Sequence, residues 1–256
     1  MWIDTHAHLD MDAFDNDVDD VLQNAADAGV DQIITIGVDL ETSRKAIALA
    51  EKYDNVWASA GIHPHEAAKV QEGDFEALIG LLAHPKCVAL GETGLDYHYD
   101  LSPRDVQRSV FKTQLRLAKA LKKPLIIHVR QAMHEALEVI DSCENGQWNG
   151  VFHCFGGDAK DVPKVIERGF HIAFTGVVTF KNFKKADAVR RVPQSRLLVE
   201  TDAPYMAPVP LRGKRCEPAH TAITGAALAE IRKTTPEALA DITTQNARQL
   251  FNLGAH

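Results

Sequence analysis

The first candidates for chemistry are two histidines close to the start of the chain. His6 and His8 lie two residues apart, at the end of an apolar stretch that predicts a β-strand. Residues i and i+2 of a strand point to the same face, so the two imidazoles would lie side by side. Imidazole is a common ligand of zinc and other transition metals. The pair predicts part of a metal site, and a strand that carries two half-exposed histidines is the other interpretation of so short a pattern.

Further histidines and carboxylates come at or directly after the ends of later apolar runs. They are His63, His65, Glu92, His128, His153 and Asp202. An isolated imidazole or charged group in such a place is costly to bury unless it is paired or bound to a metal. Four histidines and two carboxylates match the needs of two divalent ions about 3.5–4 Å apart. The pattern therefore predicts a site for two metals.

The elements that must position these residues follow from eight short apolar, β-branched runs separated by stretches of helical periodicity. The runs begin at Trp2, Gln32, Val56, Cys87, Pro124, Gly150, His171 and Arg196. Alternating strands and helices predict a parallel sheet, and eight units predict a closed α/β barrel, the (β/α)8 TIM barrel. We expect residues 1–256 to form one domain of this kind. Active sites of such barrels lie at the carboxyl ends of the strands, where the polar residues fall.

Composition limits the classes of function. The chain has 28 basic and 35 acidic side chains and a net charge of −7, so it has no general attraction to nucleic acids. A phosphate substrate would need local positive charge or metal ions. Four widely spaced cysteines predict reduced thiols, and neither a signal peptide nor a membrane-spanning run is evident. We therefore expect a cytoplasmic protein, and we expect a monomer because no obligate protein partner is evident.

Six stretches of the chain resemble the motifs of the TatD family of metal-dependent deoxyribonucleases, which lies within the amidohydrolase-like barrels. They are residues 4–10 (DTHAHLD), 61–65 (GIHPH), 91–97 (GETGLDY), 127–130 (IHVR), 152–157 (FHCFGG) and 200–205 (ETDAPY). The resemblance covers nearly the whole chain. It implies a (β/α)8 barrel, two divalent ions (Mg, Mn or Zn) and hydrolysis of DNA, single-stranded or at 3′ ends, in the 3′ to 5′ direction.

The resemblance also implies a role for each matching residue. The implied metal ligands are His6, His8, Glu92, His128, His153 and Asp202. Glu92 would bridge the ions, Asp202 would act as general base, and His63 would lie near the scissile phosphate. Candidate substrate contacts are Arg130, His65, Tyr97 and Arg215.

The chain departs from the family pattern at one position. Where family members often have Arg-Asn-Glu-Pro after strand eight, this chain has Cys216 in place of the asparagine. A substrate-side hydrogen bond from that asparagine is therefore in question.

Two alternatives remain open at the level of sequence. The same metal site is suited to an esterase or amidohydrolase, for example one acting on an aminoacyl ester. Two-metal amidases usually bridge their ions with a carboxylated lysine on strand four, whereas Glu92 stands here, and this disfavours an amidase. A non-enzymatic metal-binding scaffold is the second alternative, and the presence of every expected ligand disfavours it.

Overall fold

Eight parallel strands form one sheet in chain order, alternating with helices, and confirm the predicted TIM barrel. The structure is a computed structural model and describes residues 1–143 and 147–254. The strands are β1 (Trp2–Ala7), β2 (Val30–Ile36), β3 (Val56–Ala60), β4 (Cys87–Asp96), β5 (Leu125–Arg130), β6 (Gly150–Phe152), β7 (His171–Phe174) and β8 (Leu197–Val199). The α-helices are α1 (Val18–Asp27), α2 (Leu40–Lys52), α3 (Asp74–Leu82), α4 (Arg104–Leu121), α5 (Met133–Cys143), α6 (Val162–Glu167), α7 (Ala186–Arg191), α8 (Thr221–Arg232) and α9 (Pro236–Phe251).

Among the strands that end elsewhere than the apolar runs predict, β4 and β8 matter most for the site, and β6 also stops early, at Phe152 instead of Phe155. β4 continues past Glu92 to Asp96, because it pairs with β5 as far as Arg130. β8 ends at Val199 instead of reaching Asp202, which has a positive φ of 60° and lies outside regular strand geometry. Both changes concern the carboxyl ends of strands, where the polar side chains lie.

The barrel closes between its first and last strands through a short seam. The backbone N–H of Asp202 donates to the carbonyl of His6 at 2.8 Å, and the N–H of His8 donates to the carbonyl of Ala203 at 2.7 Å. Ala203 also forms an isolated parallel bridge with Ala7. The residues that follow β8 are thus fixed directly beside the end of β1.

The buried carboxylate of Asp4 stabilises the same seam. It accepts hydrogen bonds from the backbone N–H of Thr201 at 3.0 Å and from the Thr201 hydroxyl at 2.6 Å. Burial raises the pKa of Asp4 to about 7, although these hydrogen bonds favour the ionised form.

An apolar cluster inside the barrel fills its amino-terminal half. Almost every strand contributes to it, and α9 adds Leu250 and Phe251. α9 lies across this end of the barrel and is held there by two hydrogen bonds. The Thr244 hydroxyl donates to the carbonyl of Met1 at 3.0 Å, and the Asn246 amide donates to the carbonyl of Leu197 at 2.9 Å. With the amino-terminal end filled, the open end of the barrel is the one that carries the polar residues.

Two further sequence expectations can be compared with the fold. Among the described residues, no disulfide joins the cysteines at positions 87, 143, 154 and 216. Within residues 1–143 and 147–254, no helix has the length and apolar character that crossing a bilayer requires.

Candidate metal centre

Four donor groups meet at the seam of the barrel, and we name them the first donor cluster: His6, His8, Glu92 and Asp202. The Nε2 atoms of His6 and His8 lie 3.3 Å apart. His6 Nε2 lies 3.4 Å from Glu92 Oε2 and 3.6 Å from Asp202 Oδ1. His8 Nε2 lies 3.8 and 3.5 Å from the same two oxygens. Donor atoms around a tetrahedral ion with bonds of about 2.1 Å are separated by about 3.4 Å, so this spacing fits one cation.

The orientation of His8 is suited to a ligand. Its Nδ1 lies 3.3 Å from the carbonyl oxygen of Ile36, at the end of β2. A carbonyl only accepts hydrogen bonds, so Nδ1 carries the proton and the lone pair of Nε2 points into the first donor cluster. Metal-bound histidines commonly have their second ring nitrogen fixed in this way.

A second donor cluster forms around the other oxygen of Glu92. Glu92 Oε1 lies 2.8 Å from His153 Nε2 and 2.9 Å from His128 Nδ1. Those two ring nitrogens are 3.2 Å apart. The Oε2 and Oε1 atoms of Glu92 therefore face different clusters, which is the arrangement of a bridging carboxylate.

His63 is close enough to the second donor cluster to be a further ligand, since its Nε2 lies 3.4 Å from Glu92 Oε1. Its hydrogen bonding favours another role. The backbone N–H of His65 donates to His63 Nδ1 at 3.2 Å, so the proton of the neutral ring lies on Nε2. Burial lowers the pKa of His63 to about 4 and keeps the ring neutral at pH 7. His63 thus presents an N–H donor toward the site.

Electrostatics in the two clusters favour cations. Burial alone would raise the pKa of Glu92, but His153, His63 and His6 hold it well below its ordinary value. Burial alone would lower the pKa of His8 and of His128, yet neighbouring carboxylates raise both to about 9. The carboxylates thus stabilise positive charge on His8 and His128, and a divalent ion would replace the protons of these two rings on binding.

Asp96, the last residue of β4, organises the second donor cluster, although the sequence pattern did not single it out as a site residue. Its buried Oδ2 lies 2.9 Å from His65 Nε2 and 3.1 Å from His128 Nε2. Its Oδ1 accepts the backbone N–H groups of His98 and Tyr99, each at 2.9 Å. The pKa of Asp96 is held below its ordinary value by these hydrogen bonds, although burial acts in the opposite direction. Asp96 fixes Nε2 of His128 as the protonated nitrogen, which leaves Nδ1 free to bind a metal.

A cavity of about 890 Å³ opens above both clusters. Two of the predicted substrate contacts, His65 and Arg130, line it together with His63. The guanidinium of Arg130 lies 4.6 Å from the centre of the Tyr99 ring. Tyr99 and Tyr205 also line the cavity, and neither was identified from the sequence as a site residue.

The other two predicted substrate contacts lie elsewhere among the described residues. The Tyr97 ring packs against the core and is covered by the guanidinium of Arg104 at 4.3 Å. Arg215 binds the carboxylates of Asp17 at 2.6 Å and Glu217 at 2.9 Å. The structure does not bring Tyr97 or Arg215 to the cavity, and their side chains stabilise neighbouring loops instead.

Cys216, which replaces the asparagine of the family pattern, is fully buried. Its backbone N–H donates to the carbonyl of Pro204 at 3.0 Å. Its thiol approaches the carbonyl of Glu217 at 4.0 Å, and burial raises the pKa of this thiol well above its ordinary value. At this position the chain offers a neutral, buried thiol instead of an amide.

The donor set fits the ions that the sequence suggests. The imidazole nitrogens suit zinc or manganese, and the carboxylate oxygens suit magnesium or manganese. Within the described part of the chain there are three groups of three donors each, and the donor atoms inside each group lie within 4.8 Å of one another; Glu92 belongs to two of these groups. The residues present therefore fit a metal centre.

Comparison with known proteins agrees with this geometry. The family model of the TatD related DNases matches residues 3–252. The chain is 40% identical over 254 residues to the uncharacterized metal-dependent hydrolase YabD of Bacillus subtilis, covering 99% of this chain and 100% of the relative. It is 34% identical over 256 residues to the 3′-5′ ssDNA/RNA exonuclease TatD of Citrobacter koseri, covering 98% of each chain.

Solved structures lead to the same family. The crystal structure of YjjV, a TatD homologue from Escherichia coli K12, superposes with a TM-score of 0.93 at 32% identity and covers 99% of this chain and 98% of that chain. The match covers nearly the whole barrel, so it includes the strands that carry the donor residues. The chain is a metal-dependent hydrolase that acts on ester bonds, and it belongs to the TatD-related DNase family.

Proposed function

We propose that this hydrolase is a 3′ to 5′ exonuclease that cleaves phosphodiester bonds in single-stranded DNA with two divalent ions. The observation that carries the proposal is the position of Glu92, whose two oxygens face separate donor clusters. The name of the Citrobacter koseri relative supports the substrate and the polarity. Two adjacent ions are a common solution for in-line attack at phosphorus.

The distances between the donor atoms support one assignment of ligands to each ion. His6, His8 and Asp202 would hold the first ion, His128 and His153 would hold the second, and Glu92 would bind both. When bound, magnesium, manganese or zinc ions would activate a water for attack and neutralise negative charge on the phosphate.

Asp202 is suited to receive the proton of the attacking water. Its carboxylate is nearly buried and lies beside His6 and His8. Burial acts to raise the pKa of Asp202, but the hydrogen bond with His8 and the nearby imidazoles lower it, so the group is ionised at neutral pH. An ionised carboxylate in the first donor cluster would accept the proton of a water held there, which is the role of a general base.

His63 and Arg130 are suited to hold the phosphate. His63 is neutral at pH 7 and presents its Nε2–H toward the site, so we assign it a hydrogen bond to a phosphoryl oxygen and not protonation of the leaving group. Arg130 lines the same cavity, and its planar guanidinium is able to bind two oxygens of a phosphate.

The proposal is tested with a 5′-labelled single-stranded oligonucleotide incubated with magnesium, manganese or zinc. We expect products that shorten one nucleotide at a time from the 3′ end. Glu92→Gln should reduce the rate at least about a thousandfold because it removes the bridging charge. Glu76→Gln is the matched control, since Glu76 is exposed on α3 and should leave the rate unchanged. Internal cleavage alone, or full activity of Glu92→Gln with normal metal content, would contradict the proposal.

A second assay separates this proposal from the esterase alternative. Hydrolysis of bis-p-nitrophenyl phosphate is compared with that of p-nitrophenyl carboxylic esters and an aminoacyl ester. We expect a higher kcat/KM on the phosphodiester. A clear preference for a carboxylic ester would show that the site serves acyl chemistry instead.

A further inference from the structure

Two exposed tyrosines border the cavity and have no part in the chemistry proposed above. Tyr99 is 54% exposed and Tyr205 is 51% exposed. Both line the cavity that contains Glu92, which is only 3% exposed. Large rings left in solvent beside a deep polar site commonly mark a surface for a ligand.

Tyr99 stands on the side of the second donor cluster and is held there by several contacts. Its backbone N–H donates to Asp96 Oδ1 at 2.9 Å. The Arg130 guanidinium lies over the ring at 4.6 Å from its centre, and His65 contacts the ring edge-on at 5.5 Å. The ring is therefore fixed in orientation while more than half of the residue stays open to a ligand.

Tyr205 stands on the side of the first donor cluster. Its backbone N–H donates to the carbonyl of Asp202 at 2.8 Å, and its ring meets that of His8 nearly at right angles, with centres 6.4 Å apart. Its hydroxyl donates to the sulfur of Met11 at 3.6 Å. Burial raises the pKa of Tyr205, and the nearby carboxylate of Asp202 adds to the shift. Tyr99 and Tyr205 line the same cavity.

We propose that Tyr99 and Tyr205 bind the last two unpaired bases of the substrate, one base stacked on each ring, so that the bond between these nucleotides is held at the donor clusters. This inference rests on the proposed nuclease function. Base stacking on aromatic side chains tolerates any sequence, because every base has a π-face. The Arg130 guanidinium adds a cation beside one stack.

The size of the cavity supports unpaired bases over a duplex. Cavities of roughly 300–1,000 Å³ enclose ligands of drug size, and about 890 Å³ of space accommodates a nucleotide but not the full width of a double helix. In a duplex the internal bases are also stacked on their neighbours, so their faces are not available to a tyrosine. The two rings would thus make hydrolysis depend on an unpaired 3′ end.

The experiment measures each protein variant on an intact strand and on strands that lack one base. Tyr99→Leu and Tyr205→Leu remove the ring and keep apolar bulk, while Tyr99→Phe and Tyr205→Phe are matched controls that keep the ring. Each protein is given single-stranded oligonucleotides that are intact, abasic at the last position or abasic at the next one. Hydrolysis is followed with manganese, and binding is measured by anisotropy with copies whose terminal linkages are phosphorothioates, which resist cleavage.

We expect each leucine variant to raise KM and Kd for the intact strand about 10- to 100-fold, and each phenylalanine variant to change them less than about threefold. On the strand that is abasic at the last position, one leucine variant should bind as weakly as wild type and no weaker. On the strand that is abasic at the position before it, the same should hold for the other leucine variant. Equal losses on intact and abasic strands would overturn the inference.

The binding measurements keep this inference separate from the proposed function. If wild-type protein binds the oligonucleotides through the tyrosines but hydrolyses none, the nuclease proposal fails and the stacking role stands. If it hydrolyses them and the leucine variants match wild type, the stacking role fails alone. Absence of both binding and hydrolysis overturns both.

Discussion

The carboxylate of Asp96 connects three parts of the site through hydrogen bonds. Its Oδ2 lies against Nε2 of His128 and of His65, and its Oδ1 holds the backbone of Tyr99. One side chain thus sets the tautomer of a metal ligand and the position of a residue on the cavity wall. Groups that orient a metal ligand in this way commonly affect metal affinity by about 10- to 100-fold when they are replaced.

We therefore expect Asp96→Asn to weaken manganese binding about 10- to 100-fold, because an amide has a single acceptor oxygen and cannot accept from the two histidines and from the backbone N–H groups of His98 and Tyr99 together. Calorimetric titration of the metal-free protein measures this change. Asp105→Asn, an exposed position at the start of α4, is the matched control and should bind manganese as wild type does. Equal affinities for wild type and Asp96→Asn would show that His128 is positioned by other contacts.

Individual residues were predictable from the sequence to different degrees. All six donor residues belong to the polar groups that the sequence shows at the ends of apolar runs, and the family resemblance selected them from that larger set; the structure brings all six together. Asp96 and Tyr99 could not be identified in this way. Backbone that leaves a strand has no fixed periodicity, so the sequence alone does not show that Tyr99 reaches the cavity while Tyr97 packs under Arg104.

At the scale of elements, the close approach of β4 and β5 determines where His128 lies. Gly94 has a φ of 144°, and a Cβ at this position would lie 1.9 Å from the carbonyl oxygen of His128. Only glycine fits such a contact without displacing the neighbouring strand. The distance between Glu92 and His128 therefore depends on the absence of a side chain two residues after Glu92.

We expect Gly94→Ala to lower the free energy of unfolding by about 2–4 kcal/mol and to weaken metal binding, because β5 must move away from β4. Gly80→Ala is the matched control: Gly80 lies in α3 with open space around it, and the change should stabilise the protein by up to about 1 kcal/mol. Denaturant unfolding and manganese titration measure both effects. Wild-type stability in Gly94→Ala would mean that the two strands tolerate a wider spacing.

The sequence predicted the number and order of the elements better than their ends. Strands buried on both faces give continuous apolar runs, which is why all eight could be found. Their carboxyl ends could not be placed, because pairing with a neighbour decides where a strand stops. β4 extends to Asp96 through its pairing with β5, whereas β8 stops at Val199, where the chain turns into the seam.

For the whole molecule, one buried histidine far from the donor clusters links folding to pH. His171 begins β7 at the amino-terminal end of the barrel and is 7% exposed. Burial, reinforced by the charge of Arg196, lowers its pKa from 6.5 to about 4. Between these two values the unfolded chain binds a proton that the folded protein does not, so the free energy of unfolding falls as the pH falls.

We expect this one group to remove about 3 kcal/mol of stability between pH 6.5 and pH 4. His171→Gln has no group that titrates at this position, so the free energy of unfolding of the variant should depend less steeply on pH between 4 and 6.5. His134→Asn, at an exposed histidine of α5, is the control and should keep the slope of wild type. Denaturant unfolding at several pH values measures the slopes, and identical slopes for wild type and His171→Gln would contradict the assignment.

The seam between β1 and the residues after β8 has a consequence for how the protein is made. His6 and His8 are synthesised almost two hundred residues before Asp202. No partial chain that stops before Asp202 holds every member of the first donor cluster. A nascent chain therefore lacks the complete first donor cluster until β8 has been synthesised, and we expect a product truncated before Asp202 to have no hydrolase activity.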